Sequence, residues 1–258
     1  MNLRSIMVPA TLAVLLGGTV WAAGEARSRT FERELPAVDL TSVRLHAGSG
    51  RVTVVATPGE VVRIRLEARP RRWSGDDDRR GPLSWFLTSR LDDEEDLLRA
   101  ISLDEEAEGG ELTLRLLPRG RSRETRIEES WRLELPSRLA VEISAASAEV
   151  EVSGVGGGVR LKQGHGSATV DVPGGDLSLT MQVGRLDAHS GAPDWRRVGL
   201  RSHVGSALLF LDGRRVRAVQ PPGPGSSVSL EGRGSALLEL QVQVGDVVLR
   251  LEEDAAGG

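Results

Sequence analysis

The sequence has no cysteine and no tyrosine, and Lys162 is its only lysine. Without cysteine the chain can form no disulfide, present no thiolate to a metal and supply no cysteine nucleophile. Aromatic residues make up 3% of the 258 positions, so the interior must be packed with aliphatic side chains. A formal net charge of −4 has the wrong sign for non-specific nucleic-acid binding, which depends on cations that displace counterions from phosphate. Beyond the N-terminal stretch, no run is apolar enough to span a membrane as a helix.

That N-terminal stretch has the form of an export signal. Arg4 supplies the positive start, and an apolar run from Ile6 to Val20 is broken only by small residues, Pro9 and Thr11. Val20-Trp21-Ala22 ends in the small-residue pattern that a signal peptidase reads, which places cleavage after Ala22. At about 15 residues the run is shorter than the roughly 20 of a spanning helix, and with no cysteine after it a lipoprotein anchor is excluded. The expectation is a signal peptide over 1–22 and an exported chain, periplasmic or at the cell surface, that is not an integral membrane protein after cleavage.

Three zones follow. Residues 31–68 alternate apolar and polar, as in Val43-Arg44-Leu45 and Val62-Arg63-Ile64-Arg65-Leu66, with turns at Gly48-Ser49-Gly50 and Pro58-Gly59. Period two with one polar face predicts half-buried strands. Residues 69–126 carry dense charge, including Asp76-Asp77-Asp78 and Asp92 to Asp96, and read as a charged insertion, partly disordered. Within it, Asp92 to Ile101 suits a short helix with Leu97, Leu98 and Ile101 on one face, and Glu111 to Leu117 suits a strand.

Residues 127–252 repeat a pattern of Gly, a small residue and alternating aliphatics, and 253–258 read as a flexible tail. Aligned on the small residue before each second strand, the units fall at Ser147, Gly166, Gly184, Gly205 and Gly234. A spacing near 20 residues with two short strands per unit predicts an all-β, β-solenoid stack, in which alternating aliphatics pack on their equivalents in the next coil. Glycine at the corner accepts positive φ. A twisted β-sandwich of short hairpins is the alternative.

The stretches "HAGSGRVTV", "LELPSRLAVEISAASAEVEVSGV", "QGHGSATVDV" and "QVGDVVLRL" resemble the bacterial putative-adhesin family of unknown function, with its repeated Gly-Ser-Gly turns. The likeness runs from about Val38 to Leu251 and leaves the charged zone unmatched. It implies a right-handed, solenoid-like all-β fold at the envelope or surface, and no catalytic residue. Where the family carries an acid after the turn glycine, this chain has Arg51, Ala168, Arg185 or Ala207.

No candidate chemistry stands out. His46, His165, His189 and His203 share no ligand spacing, although His165 and His203 both lie just before repeat turns. The acid clusters lack the alternating acid-and-glycine loop that calcium selects, and Ser167 and Ser206 read as corner residues rather than nucleophiles. No catalytic, cofactor or metal site is assigned. Trp73, Trp85 and Phe86 read as residues packing the charged zone back onto the strands, or as a partner site, and Trp131 and Trp195 as padding at the rim of the core. The expected function is non-catalytic, adhesin-like interaction at the cell envelope with a protein or glycan partner. Arg44, Arg63, Arg65 and Arg160 are candidate contacts. The alternatives are a periplasmic regulatory or structural component and, third, a polysaccharide-active β-helix enzyme.

Overall fold

The computed structural model describes residues 28–71, 96–118, 127–191, 195–211, 213–216 and 225–251. The expected signal peptide, Trp73, Trp85, Phe86, Asp76 to Asp78, residues 92–95 and the 253–258 tail lie outside the described residues.

Three successive strands set the pattern. β7 (Ala140–Ser153), β8 (Val159–Val172) and β9 (Leu177–Ser190) run parallel, with Val141 opposite Val159 and Val159 opposite Leu177, a step of 18 residues. Along β8 the buried positions are 159, 161 and 163, then 168, 170 and 172, with an exposed run between them. A straight strand cannot change parity and keep its apolar side chains on one face. Each rung therefore bends at a corner into two arms, and the aliphatic residues of both arms join one core cluster.

Other segments extend the stack out of chain order. β2 (Ser42–Thr57) lies against β7 in register, Val43 opposite Val141 and Val52 opposite Val150. On its far side its first arm meets β5 (Glu111–Pro118) and its second meets β6 (Ile127–Pro136), both parallel. Antiparallel strands finish this end: β4 (Ile101–Glu108) beside β5, and β3 (Val61–Pro70) then β1 (Arg29–Pro36) beside β6.

At the opposite end β14 (Ala236–Leu251) follows β9. β10 (Trp195–Val204) and β11 (Ala207–Leu211) pair with its two arms. β13 (Ser226–Glu231) and β12 (Arg214–Val216) close them antiparallel. All the described strands join in one 14-stranded sheet.

The all-β expectation holds. The sandwich alternative does not describe the middle of the molecule, where every neighbouring pair from β2 to β10 is parallel. Two details of the repeat are corrected. The corner residue of β7 is Ala148, opposite Gly166, because Ser147 pairs with His165. Gly234 is no corner at all. It lies in the link before β14, whose corner is Gly245, opposite Gly184.

In the charged zone residues 96–100 are helical with Leu97 and Leu98 buried, but Ile101, expected on the same helix face, is buried at the start of β4 instead. β5 matches the expected strand. β4 was not foreseen, since its acidic residues Asp104, Glu105, Glu106 and Glu108 hide its strand period. Acids along an edge also discourage further pairing there.

Candidate interaction surfaces

Because most inward positions are aliphatic, most of the polar chemistry of the rungs lies on the outer faces of the two arms and on the ridge of the corner. On the first-arm face, Arg44, Glu142, Arg160, Ser178 and Glu239 form one cross-strand row. His46, Ser144, Lys162, Thr180, Gln241 and Arg201 form the next. Arg44 is held between Glu111 at 2.8 Å and Glu142 at 3.2 Å. Arg160, Lys162 and Arg201 are exposed and have no acidic partner among the described residues. With rungs about 4.8 Å apart, Lys162 and Arg201 stand about 14 Å from one another across three steps.

The second-arm face neutralises itself. Arg51 pairs with Glu149 at 2.7 Å, Arg63 with Glu34 at 3.5 Å and Arg65 with Glu32 at 3.7 Å. Asp187 takes both Arg185, at 3.5 Å, and Arg250. The Arg51 guanidinium has its pKa raised by its hydrogen bond to Glu149. Exposed pairs of this kind add little stability, but they leave few free charges. Of the four arginines expected as contacts, Arg44, Arg63 and Arg65 are engaged within the sheet, and Arg160 alone is available.

Along the corner ridge the residue before each corner runs Ser49, Ser147, His165, Val183, Val244 and Val204. The last three are 41%, 46% and 52% exposed, an apolar ridge confined to one end of the stack.

The histidines do not come together. His46 lies on the first-arm face, His165 on the ridge, and His189 on the second-arm face with Nδ1 2.9 Å from Asp171. His203 is three rungs from His165, about 14 Å at the usual strand spacing. No group of three potential metal ligands occurs among the described residues. Ser167 and Ser206 are corner residues, as expected. Ser206 donates its backbone N–H (3.0 Å) and its hydroxyl (2.5 Å) to Asp246 Oδ1. The residue directly after the corner is Arg51, Glu149, Ser167, Arg185, Asp246 or Ser206. Two acids therefore persist at this position. Glu149 binds Arg51 and Asp246 binds Ser206, so both are spent within the ladder.

Trp131 corrects another expectation. It is 1% exposed, a core residue rather than rim padding, while Trp195 packs half-buried against the cluster. Trp131 also exposes a feature the sequence reading missed. Its indole N–H donates to Glu129 Oε2 at 2.7 Å, and the Gly48 N–H reaches the same oxygen at 3.2 Å. Glu129 is 8% exposed, and burial pushes its carboxyl pKa up against the opposing hydrogen bonds. β6 begins only two residues earlier, so the Glu129 side chain supplies an acceptor to Gly48 at the end of the stack. A Glu flanked by polar residues in "IEESW" gives no hint that it points inward, apart from its spacing two before Trp131.

No protein-family model and no curated protein matches the sequence. Solved structures do resemble the fold. A "putative cell adhesion protein" from Clostridium sporogenes ATCC 15579 aligns over 87% of this chain and all of its own length, with 12% identity and a TM-score of 0.51. A "putative adhesin" from Parabacteroides merdae ATCC 43184 aligns over 70% of this chain and 63% of its own, with 8% identity and a TM-score of 0.34. The first likeness shows a shared fold.

Proposed function

We propose that this is an exported, non-catalytic protein of the cell envelope that acts by adhesin-like surface interaction, through the first-arm face of its later rungs. The observation that carries this reading is the contrast in charge pairing between the two faces. Arginines of the second-arm face are matched to acids within the sheet, whereas Arg160, Lys162 and Arg201 are exposed on strands β8 and β10 of the first-arm face. Ser178, Thr180 and Gln241 lie between them and add short hydrogen-bonding groups. Cations at fixed spacing beside hydroxyls and amides suit an extended anionic partner such as an acidic envelope glycan. The adhesion role suggested for the Clostridium sporogenes protein is in keeping with this reading.

The test is retention on an immobilised acidic polysaccharide, with alginate as the probe. The full chain is expected to bind and to elute with added salt, and the variant R160E/K162E/R201E is expected to pass through while keeping its circular dichroism spectrum. Equal retention of the variant would remove the face from the mechanism. Protease treatment of intact cells, with a periplasmic protein as control, tests location. Degradation while the control survives supports the surface; protection until the outer membrane is opened directs the search to a partner inside the envelope.

A further inference from the structure

β14 is the last strand among the described residues, yet it occupies an inner slot. It lies parallel to β9 on one side and to β10 and β11 on the other. β9 and β10 are consecutive in sequence and do not pair with each other. The chain leaves β9, skips one position, builds β10 to β13, and only then returns to fill the gap. β14 therefore joins two walls, β9 on one side and β10 with β11 on the other, that are not hydrogen-bonded to each other.

The link into the slot is short. Residues 232–235 join β13, on one side of β10, to β14 on the other, and so cross over the start of β10. Gly232 donates its N–H to the Arg196 carbonyl at 2.8 Å, and Gly234 donates to the Trp195 carbonyl at 3.0 Å. A side chain at position 232 would run into the backbone and ring of Trp195. Short, tightly turned hinges of this kind favour exchange of the attached element between copies.

The walls of the slot recognise β14 through features that any copy of β14 would bring. Asp176 Oδ1 accepts the Leu237 N–H at 2.8 Å on the β9 side. Ser202 Oγ donates to the Gly245 carbonyl at 2.7 Å, and Ser206 binds Asp246, on the β10–β11 side. Leu238, Leu240, Val242, Val247, Leu249 and Leu251 all face the core, so an empty slot would expose a large apolar surface on both strand and walls.

We propose that the chain forms a reciprocal dimer by exchanging β14, each copy's slot being filled by the strand of the other. Every sheet pair, latch bond and core contact of the single chain is reproduced in such a dimer. Only the 232–235 link changes, from a crossing to an extended path.

The absence of cysteine makes the test direct. Thr180 and Gln241 lie opposite one another on the exposed face of β9 and β14. Full chains carrying T180C alone and Q241C alone are denatured, mixed, refolded together and oxidised, and the products are separated on a non-reducing denaturing gel. Exchange predicts a T180C–Q241C heterodimer that grows with chain concentration during refolding and exceeds the homodimers formed by either chain alone. The double variant T180C/Q241C, refolded dilute, is expected to give a crosslinked monomer, which establishes that the pair is close enough to react. A double variant that crosslinks within itself, beside single variants that yield no heterodimer above the homodimer controls at any concentration, would overturn the proposal. Deletion of Arg233 and Gly234 is expected to shift the double variant from crosslinked monomer to crosslinked dimer.

Discussion

Gly184 lies directly against the carbonyl oxygen of Gly166 on the neighbouring rung, with φ at +144°, in a region L side chains rarely adopt. A Cβ there would overlap that oxygen, and the Met181 sulfur closes off escape on the other side. The same contact recurs from rung to rung along the corner, Gly166 on Ala148, Gly245 on Gly184 and Gly205 on Gly245. At these corners the backbones of neighbouring rungs approach too closely to admit a side chain between them.

Gly184→Ala should consequently be among the most damaging single changes. Backbone strain and a clash with a main-chain oxygen together are expected to cost at least about 3 kcal/mol. Gly199 is the control. It is a β10 residue with open space where its Cβ would stand and no left-handed φ, so Gly199→Ala is expected to be neutral or stabilising by up to about 1 kcal/mol. Urea denaturation of the two variants beside the parent checks both values. Equal effects would show that the corner has room for a side chain after all.

The aliphatic alternation of β7, β8 and β9 and the corner glycines of β8 and β9 are legible in the sequence because rungs that touch in space are also consecutive in the chain. Legibility fails where that link is broken. Nothing local in "QVQVGDVVLRL" indicates that it sits between β9 and β10, since pairing across 61 residues leaves no periodic trace. The arginines show the same limit. Arg44 and Arg160 look alike as outward strand residues, and only the cross-strand row reveals that Glu111 and Glu142 occupy one and leave the other free. Glu129 is in phase with Ile127, Trp131 and Leu133 along β6 and so points inward, but a carboxylate at the start of the alternation reads as part of the polar face.

The buried Glu129 carboxyl gives stability a definite pH dependence. Its folded pKa is raised above the unfolded value, so the folded state holds the proton more tightly. Stability is therefore expected to fall as pH rises from about 4.3, the usual Glu value, through the folded pKa, and then to level off. Glu129→Gln keeps an oxygen for Trp131 and Gly48 but removes the titration. Denaturation midpoints measured between pH 4 and 8 should lose this slope in the variant, and an unchanged slope would place the effect on another group.

Asp246 works in the opposite sense. Hydrogen bonds from the Ser206 hydroxyl and backbone N–H hold its pKa below the usual carboxylate value. Its contribution is present above the unfolded pKa and is lost as pH falls through the folded one. Ser206→Ala removes the hydroxyl donor, the largest cause, and should move the Asp246 carboxyl titration upward in an NMR pH series. No movement would mean that the backbone N–H alone holds the ionised form.

Core and ridge should respond differently to the same kind of truncation, although both are built from aliphatic residues in the same rungs. Leu179 is 1% exposed between the stacked arms, and Leu179→Ala removes buried methyl groups and leaves a cavity, at an expected cost of about 2–5 kcal/mol. Val244 lies on the outside of the corner, 46% exposed, in register with Val183 and Val204. Val244→Ser removes surface that water already reaches, so a change within about 1 kcal/mol is expected. A loss at position 244 as large as that at 179 would mean that the valine ridge is covered in the folded protein, and analytical ultracentrifugation of the variant would then show whether a second copy had been covering it.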